Sequence, residues 1–438
     1  MSVGFPKLSS AAPPHRKRLM WPAALVVFLA LGLYLAYPHV VAEYHYRAAR
    51  KALQGRQFME ARAHVDVCLR TWPRSAASQL LAAQIARRAG FFEEADRRLT
   101  SADHLDGPIE QIKLERTLLQ VQQGGLTEMS EALLLRYVQH DHHAESALIL
   151  EALSQGCIRV FRNDSALKYL GMVLEMQPHD AHVLFTRGWV HDRMYNWESA
   201  QEDYAAVLEI DPDNKDALLR LAQALANLGK PQEAVDRFTA LLERHPDEVA
   251  ASFGLAQQLS KLGRFDQAQK ILDDLAAKLP RKLEVLLGHG QLELNRGNPA
   301  AAESWLRRAL EADPHDSQTN DALYRCLQAL KKTREAEAQL KRLELIRKDL
   351  ERLNALNEQI QMNPYESGLP LRLEVAQIFF RNGQDREGLI RLDGALRLDP
   401  NYRPALEALA DYYEKKGDTI RAREYRLRAE QTGKREPS

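Results

Sequence analysis

Cysteine is scarce in this chain. Of 438 residues only Cys68, Cys157 and Cys326 are cysteine, they lie far apart, and none forms a CxxC pair. An odd count without paired spacing argues against a disulfide framework. Net charge is missing too, since 60 Lys and Arg balance 60 Asp and Glu. A dedicated nucleic-acid binder needs a net basic face, so none is expected here. Aromatics are 7% of the chain against 27% charged residues, the composition of a folded, soluble body. Catalytic signatures are absent as well. No GxxxxGK[ST], HExxH, GxSxG or dinucleotide-binding glycine fingerprint occurs.

Long apolar runs are rare, with one exception. Residues 19–37, LMWPAALVVFLALGLYLAY, carry no charge. At 1.5 Å per residue they are long enough for a hydrocarbon core of ~30 Å. Trp21 stands at one end and Tyr34 and Tyr37 at the other, where interfacial aromatics belong. Arg16, Lys17 and Arg18 precede the run and resist translocation. Arg47, Arg50 and Lys51 follow it, but they begin a long domain, and long domains cross largely regardless of charge. The pattern predicts a disordered cytoplasmic tail at 1–18, a transmembrane helix at 19–37, and an extracytoplasmic body. A signal peptide cut near Val40, Val41 and Ala42 is the alternative, though the apolar run exceeds the usual 7–15 residues.

What the chain does have is a period. Pro178, Pro212, Pro246, Pro280 and Pro314 stand 34 residues apart each time. With proline as position 32, units fall at 147–180, 181–214, 215–248, 249–282 and 283–316. The frame runs back to 42–75 and 76–109, with an irregular unit at 110–146. It runs forward through 317–350 and resumes at 369–402 and 403–436. Other columns agree. Position 20 is small, as at Ala200, Ala234 and Ala268, and so is position 8, as at Gly188, Ala222 and Gly290. Position 24 is bulky, as at Tyr204, Phe238 and Leu306. Position 15 is glycine at Gly90, Gly229, Gly263, Gly297, Gly383 and Gly417.

Each column has a physical reading. Apolar residues recur at helical spacing on either side of position 15, which predicts two amphipathic helices per unit. Glycine lets the first helix end in a left-handed conformation. Small residues let the paired backbones approach, and the bulky one fills the space between units. Proline stops the second helix, and Asp or Asn beside it caps the next. The cysteines fall mostly in packing columns and read as small buried residues.

A 34-residue helix–turn–helix unit with this pattern resembles the tetratricopeptide repeat over roughly residues 42–436. The resemblance implies an all-α, right-handed superhelical solenoid, preceded by the transmembrane helix. Nine units are expected in 42–362 and two more in 369–436. Unit 110–146 is degenerate, with Gly124 and Gly125 at its turn. Unit 317–350 has Lys348 where proline is expected, so Arg334–Met362 reads as one continuous helix. Its stripe of Leu340, Leu343, Ile346, Leu350, Leu353, Leu356 and Ile360 suits either packing on the next unit or a coiled-coil homodimer through 334–362.

In proteins of this kind the first helices line a concave groove, chiefly through positions 2, 5, 9, 12 and 13. By that resemblance Phe185, Trp189, Leu219, Phe253 and Leu287 would form an apolar row. Gln223, Gln257 and Gln291 would form an amide row beside it. An amide both donates and accepts, so it pairs with a peptide bond whatever the side chains. The basic residues Arg87, Arg88, Arg159, Arg193, Lys261 and Arg381 are scattered along the same face. The Lys and Asn pattern that clamps C-terminal carboxylates in some relatives is not met. HDHH at 140–143 gathers imidazoles, but adjacent loop residues rarely converge on one metal. The expectation is a non-enzymatic scaffold or assembly factor without cofactor or metal. It is anchored in an inner or plasma membrane with its body on the periplasmic side, and binds an extended or helical segment of a partner protein. The alternative is a non-catalytic regulatory subunit of a membrane-associated enzyme complex.

Overall fold

The turn Asp211–Asn214 shows how a unit is joined to the next. The Asp211 amide still donates to Val207 at 2.9 Å, closing the last turn of one helix. Pro212 has no N–H to continue it. The Asn214 side chain then accepts from the Ala217 amide at 3.0 Å and starts the following helix. Asp180 and Asp316 cap their helices the same way. Arg244, one unit on, donates to the Pro212 carbonyl at 2.7 Å and ties the turn down.

The computed structural model describes residues 17–140, 144–362 and 368–432, apart from the side chains of 17–33, 35, 140, 144, 361 and 362. Among the described residues there are 22 helices and no strand. The chain divides into two compact units, 1–119 and 120–438.

In the first unit α1 (Lys17–Gln54) pairs with α2 (Phe58–Thr71), and α3 (Ala76–Arg88) with α4 (Phe92–His104). Ala49, Leu53, Ala61, Val65, Leu81 and Ile85 form one core. The next helix, α5 (Ile109–Gln122), supplies Glu115, whose carboxylate accepts from Arg87 at 2.6 Å. Arg87, expected on the groove face, is instead a buried ion-pair partner at 4% exposure. Where side chains are described, no helix is long and apolar enough to cross a membrane. Of the apolar run 19–37, only Tyr34, Ala36 and Tyr37 belong to that set.

The second unit continues with α6 (Glu128–His140), α7 (Ala144–Arg159), α8 (Asn163–Met176), α9 (Ala181–Arg193) and α10 (Trp197–Ile210). The central hairpins follow as α11 (Lys215–Asn227), α12 (Pro231–Arg244), α13 (Val249–Lys261), α14 (Phe265–Lys278), α15 (Leu283–Asn295) and α16 (Pro299–Ala312). Beyond them lie α17 (Ser317–Ala329), α18 (Thr333–Met362), α19 (Gly368–Arg381), α20 (Asp385–Leu398), α21 (Arg403–Lys415) and α22 (Thr419–Thr432). The columns behave as their chemistry requires. Ala200, Ala234, Ala268 and Ala302 are fully buried, and so are Tyr204 and Leu306. Gly290 sits so close to Leu306 that a Cβ there would lie 2.5 Å from its Cδ2. Every glycine of position 15 has a positive φ, and the non-glycine residues there, Arg56, Phe161, Tyr195 and Lys331, adopt the same left-handed turn.

Helix α18 is 30 residues long and does not break at Lys348. Its apolar stripe is largely consumed inside the chain. Leu343, Ile346, Leu356 and Ile360 are buried, and Leu356 and Ile360 pack with Val375, Ile378 and Phe379. Most of the stripe thus serves as an internal packing face, while Leu350 stays exposed, and a homodimer through 334–362 is not shown.

That core holds a residue from the far side of the unit. Phe161, at the turn between α7 and α8, packs in it and stacks on Phe379 with ring centroids 6.1 Å apart. Arg372 donates to the Gly124 carbonyl at 3.4 Å, Arg391 donates to the Arg159 carbonyl, and Arg397 donates to Gln123 at 2.7 Å. Within the second unit the late helices thus close on the early ones. The repeat pattern alone carries no sign of this seam.

Candidate partner-binding groove

The residues of the amide row are brought together. Helices α11, α13 and α15 recur at one repeat spacing, so Gln223, Gln257 and Gln291 fall in register. They line one cavity of about 700 Å³. That size lies within the usual ~300–1,000 Å³ of ligand sites. Gln257 donates through Nε2 to Oε1 of Gln291 at 2.8 Å. Part of the row is therefore satisfied internally, and the Gln291 amide N–H groups and the Gln257 oxygen remain to face the cavity. A second such pair, Gln122 donating to Gln155, occurs further back.

Charge enters the same cavity from positions 6, 9, 12 and 13. Asp192 and Arg220 approach to 3.5 Å. Burial raises the Asp192 pKa from its ordinary value, and the Arg220 guanidinium opposes the shift. Arg325 is held by Asp321 at 3.0 Å. Lys261 is exposed and has no ion-pair partner among the described residues. Asn295 donates to Ser260 at 2.8 Å and fixes the rim.

The apolar row is mostly packing. Phe253 lines the cavity, yet its ring also abuts Gly288 of the next unit. Phe185 and Leu219 are half-buried against the core, with Phe185 5.5 Å from the Tyr204 ring centroid. Leu287 is 3% exposed and packs with Leu306 and Leu323, so it supports the wall and does not line the groove. Trp189 does not line the cavity either, and Arg193 lies over its ring at 4.7 Å. Position 5 points towards the neighbouring unit as much as towards solvent, which the column of apolar residues there already hinted. The cavity residues not singled out from sequence include Asp192, Arg220, Asn227, Asn295, Gln318 and Arg325. Most stand in columns 2, 9, 12 and 13, and reading those columns residue by residue would have found them.

Other basic residues leave the groove. Arg381 pairs with Asp349 at 2.7 Å, Arg88 lies over the Phe58 ring, and Arg159 and Arg193 sit at the seam. Cys68, Cys157 and Cys326 are buried thiols, and burial pushes Cys157 up to about 12, so it carries no reactive thiolate at neutral pH. No group of three or more metal-ligating side chains occurs among the described residues, and most of the HDHH stretch at 140–143 lies outside them.

The helical hairpin, its left-handed turn and its small-residue columns find a counterpart in known proteins. Residues 193–238 and 228–292 match one tetratricopeptide repeat model, and 283–316 match another. The matched stretch, residues 193–316, takes in the central hairpins. These are the hairpins that build the cavity. No curated protein matches the chain. Similar solved structures include a tetratricopeptide repeat protein from Parabacteroides merdae at 17% identity and TM-score 0.40, which covers 64% of this chain and 99% of its own. The type IV pilus biogenesis factor PilW is 16% identical at TM-score 0.39 and covers 54% of this chain and 100% of its own. YrrB, described as having an unusual peptide-binding site, is 18% identical at TM-score 0.36 and covers 43% of this chain and 96% of its own. Likenesses at this level say nothing of what the present chain binds.

Proposed function

We propose that the tetratricopeptide groove of the second unit holds an extended segment of a partner protein, and that the chain acts as a non-catalytic scaffold. The observation that carries this reading is the in-register row of Gln223, Gln257 and Gln291 on one cavity. Amides at one repeat spacing pair with peptide groups independently of sequence. Charge then selects among segments. Lys261 is the cation left without an ion-pair partner there, so a carboxylate on the bound segment fits beside it. We further propose that residues 19–37 anchor the chain in an inner or plasma membrane with the repeats on the extracytoplasmic side. The support is the uncharged run with its flanking aromatics and preceding basic triplet.

A photo-crosslinking amino acid at Asn295 in the intact membrane tests the groove. One discrete adduct is expected, and the Gln223→Ala, Gln257→Ala, Gln291→Ala combination should abolish it. Undiminished crosslinking by the folded triple variant would remove the reading. Alkaline phosphatase fused after the last residue tests orientation, because it is active only outside the cytoplasm.

A further inference from the structure

The seam of the second unit is rich in positive charge. Arg372 and Arg391 each have 5% exposure, and the Nε of each has no hydrogen-bond partner. Among the described residues neither forms an ion pair. Each guanidinium carries five donors, yet Arg372 reaches only the Gly124 carbonyl and Arg391 only that of Arg159. Arg193 lies 5.0 Å over the Phe161 ring, whose face Arg391 also covers. The Arg159 stem packs at Gly124, and Gly124 in turn meets Gly394 and Arg372. Four guanidinium groups therefore converge, two from the early hairpins and two from the late ones.

Among the described residues, little answers the charge of Arg372 and Arg391. Glu387 is the acid that acts on Arg391 and Arg193, and the other charges around Arg391 are Arg193, Arg372 and Arg159. Asp393 and Glu387 both act on Arg159, and Asp393 is also bonded to Arg397 at 3.0 Å. Burial lowers the Arg372 pKa to about 10, so it remains charged at neutral pH. Buried cations without a counter-charge are costly, and removing them from water is repaid only by an anion in good geometry. Guanidinium forks match the oxygens of phosphate-like groups.

We propose that the seam binds a tetrahedral oxyanion, inorganic phosphate or sulfate. Its oxygens accept from Arg372 and Arg391, with Arg159 and Arg193 alongside. The anion joins early and late helices and so favours the closed form of the second unit. Trp189 shares Arg193 with the seam, at 4.7 Å from its guanidinium, which places the groove-side helix α9 in contact with the same cluster.

The test uses the full-length chain in mild detergent. Thermal unfolding is followed with about 5 mM sodium phosphate, sodium sulfate, sodium acetate or sodium chloride at matched ionic strength, where a specific ligand of the folded state should raise Tm by roughly 2–4 °C. Phosphate or sulfate should raise it saturably, and acetate and chloride should not. Equilibrium dialysis of labelled phosphate should show one site, weakened about tenfold in Arg372→Gln, a loss of one charge-assisted contact. Arg372→Lys keeps the charge without the fork and should recover part of the loss. Glu387→Gln removes a competing carboxylate and should tighten phosphate. Equal responses to all four salts, a response to acetate equal to that to phosphate, or no bound phosphate in the wild-type chain would overturn the assignment. If Arg372→Gln does not fold, the salt series and dialysis on the wild-type chain still decide it.

Discussion

Phe161 and Phe379 stack at 6.1 Å with their rings 19° from parallel, although they belong to hairpins near opposite ends of the second unit. Phe161 does this from a left-handed backbone, with φ of 63°, at the position where most units place glycine. The aromatic is thus kept at a backbone cost of order 1–3 kcal/mol because of what its side chain packs against. Phe161→Ala should destabilise the chain by about 3 kcal/mol or more, since a buried ring leaves a cavity. Phe161→Gly loses the same ring but relieves the turn, so it should be about 1 kcal/mol less harmful than alanine. Urea unfolding of the pair measures this, and equal losses would show that the turn stores no strain.

The continuity of α18 gives a second expectation. Lys348 occupies the place of the missing proline, and the neighbouring Asp349 accepts from Arg381 at 2.7 Å and from Asn382 at 2.9 Å. Lys348→Pro should restore the ordinary unit end and break the helix. The change should cost ~3 kcal/mol or more, because a helix interior loses a hydrogen bond and gains a clash. It should also raise hydrogen exchange across α18 and α19. A variant as stable as the parent would mean the long helix is not needed for the seam.

Close approach at Gly290 predicts a sharp size limit. A Cβ there would lie 2.5 Å from Leu306 Cδ2, inside a fully buried contact. Gly290→Ala should destabilise by about 1–3 kcal/mol through overpacking. Gly290→Ala combined with Leu306→Ala should be less harmful than the sum of the two changes, a departure from additivity expected of touching residues. Additive losses would place the two side by side without contact.

Acid sensitivity has a candidate source in His289. It is 3% exposed, stacks on Trp305 at 4.3 Å, and burial lowers its pKa below the usual imidazole value. The unfolded chain therefore binds the proton more readily than the folded one. Its contribution is present above the ordinary pKa of about 6.5 and is lost as pH falls below that value. His191 is shifted the same way, again chiefly by burial. His289→Phe keeps the stack and should flatten the fall in Tm between about pH 7 and pH 5.5. An unchanged pH profile would assign the effect elsewhere.

The Gln257 to Gln291 bond separates recognition from stability. Exposed or half-exposed amides contribute little to folding, so Gln257→Ala should move stability by less than about 1 kcal/mol. Crosslinking from Asn295 should nevertheless fall, because one end of the amide row is gone. A large drop in Tm would mean the row is a structural brace.

The sequence by itself determined everything local. The proline, glycine and small-residue columns specify helix stops, left-handed turns and close helix pairs. These depend on residues within one unit or its neighbour, so a period of 34 exposes them. The amide row was legible for the same reason, as identical spacing puts Gln223, Gln257 and Gln291 in register. Only the tertiary structure decided how position 5 is shared between groove and core. Leu287 is buried because the next unit covers it, and an apolar letter does not say which side it faces. The seam was likewise decided at the tertiary level. Phe161, Arg372 and Arg391 meet because small rotations accumulate over many repeats, and no periodic column records where that accumulation brings the chain back to itself.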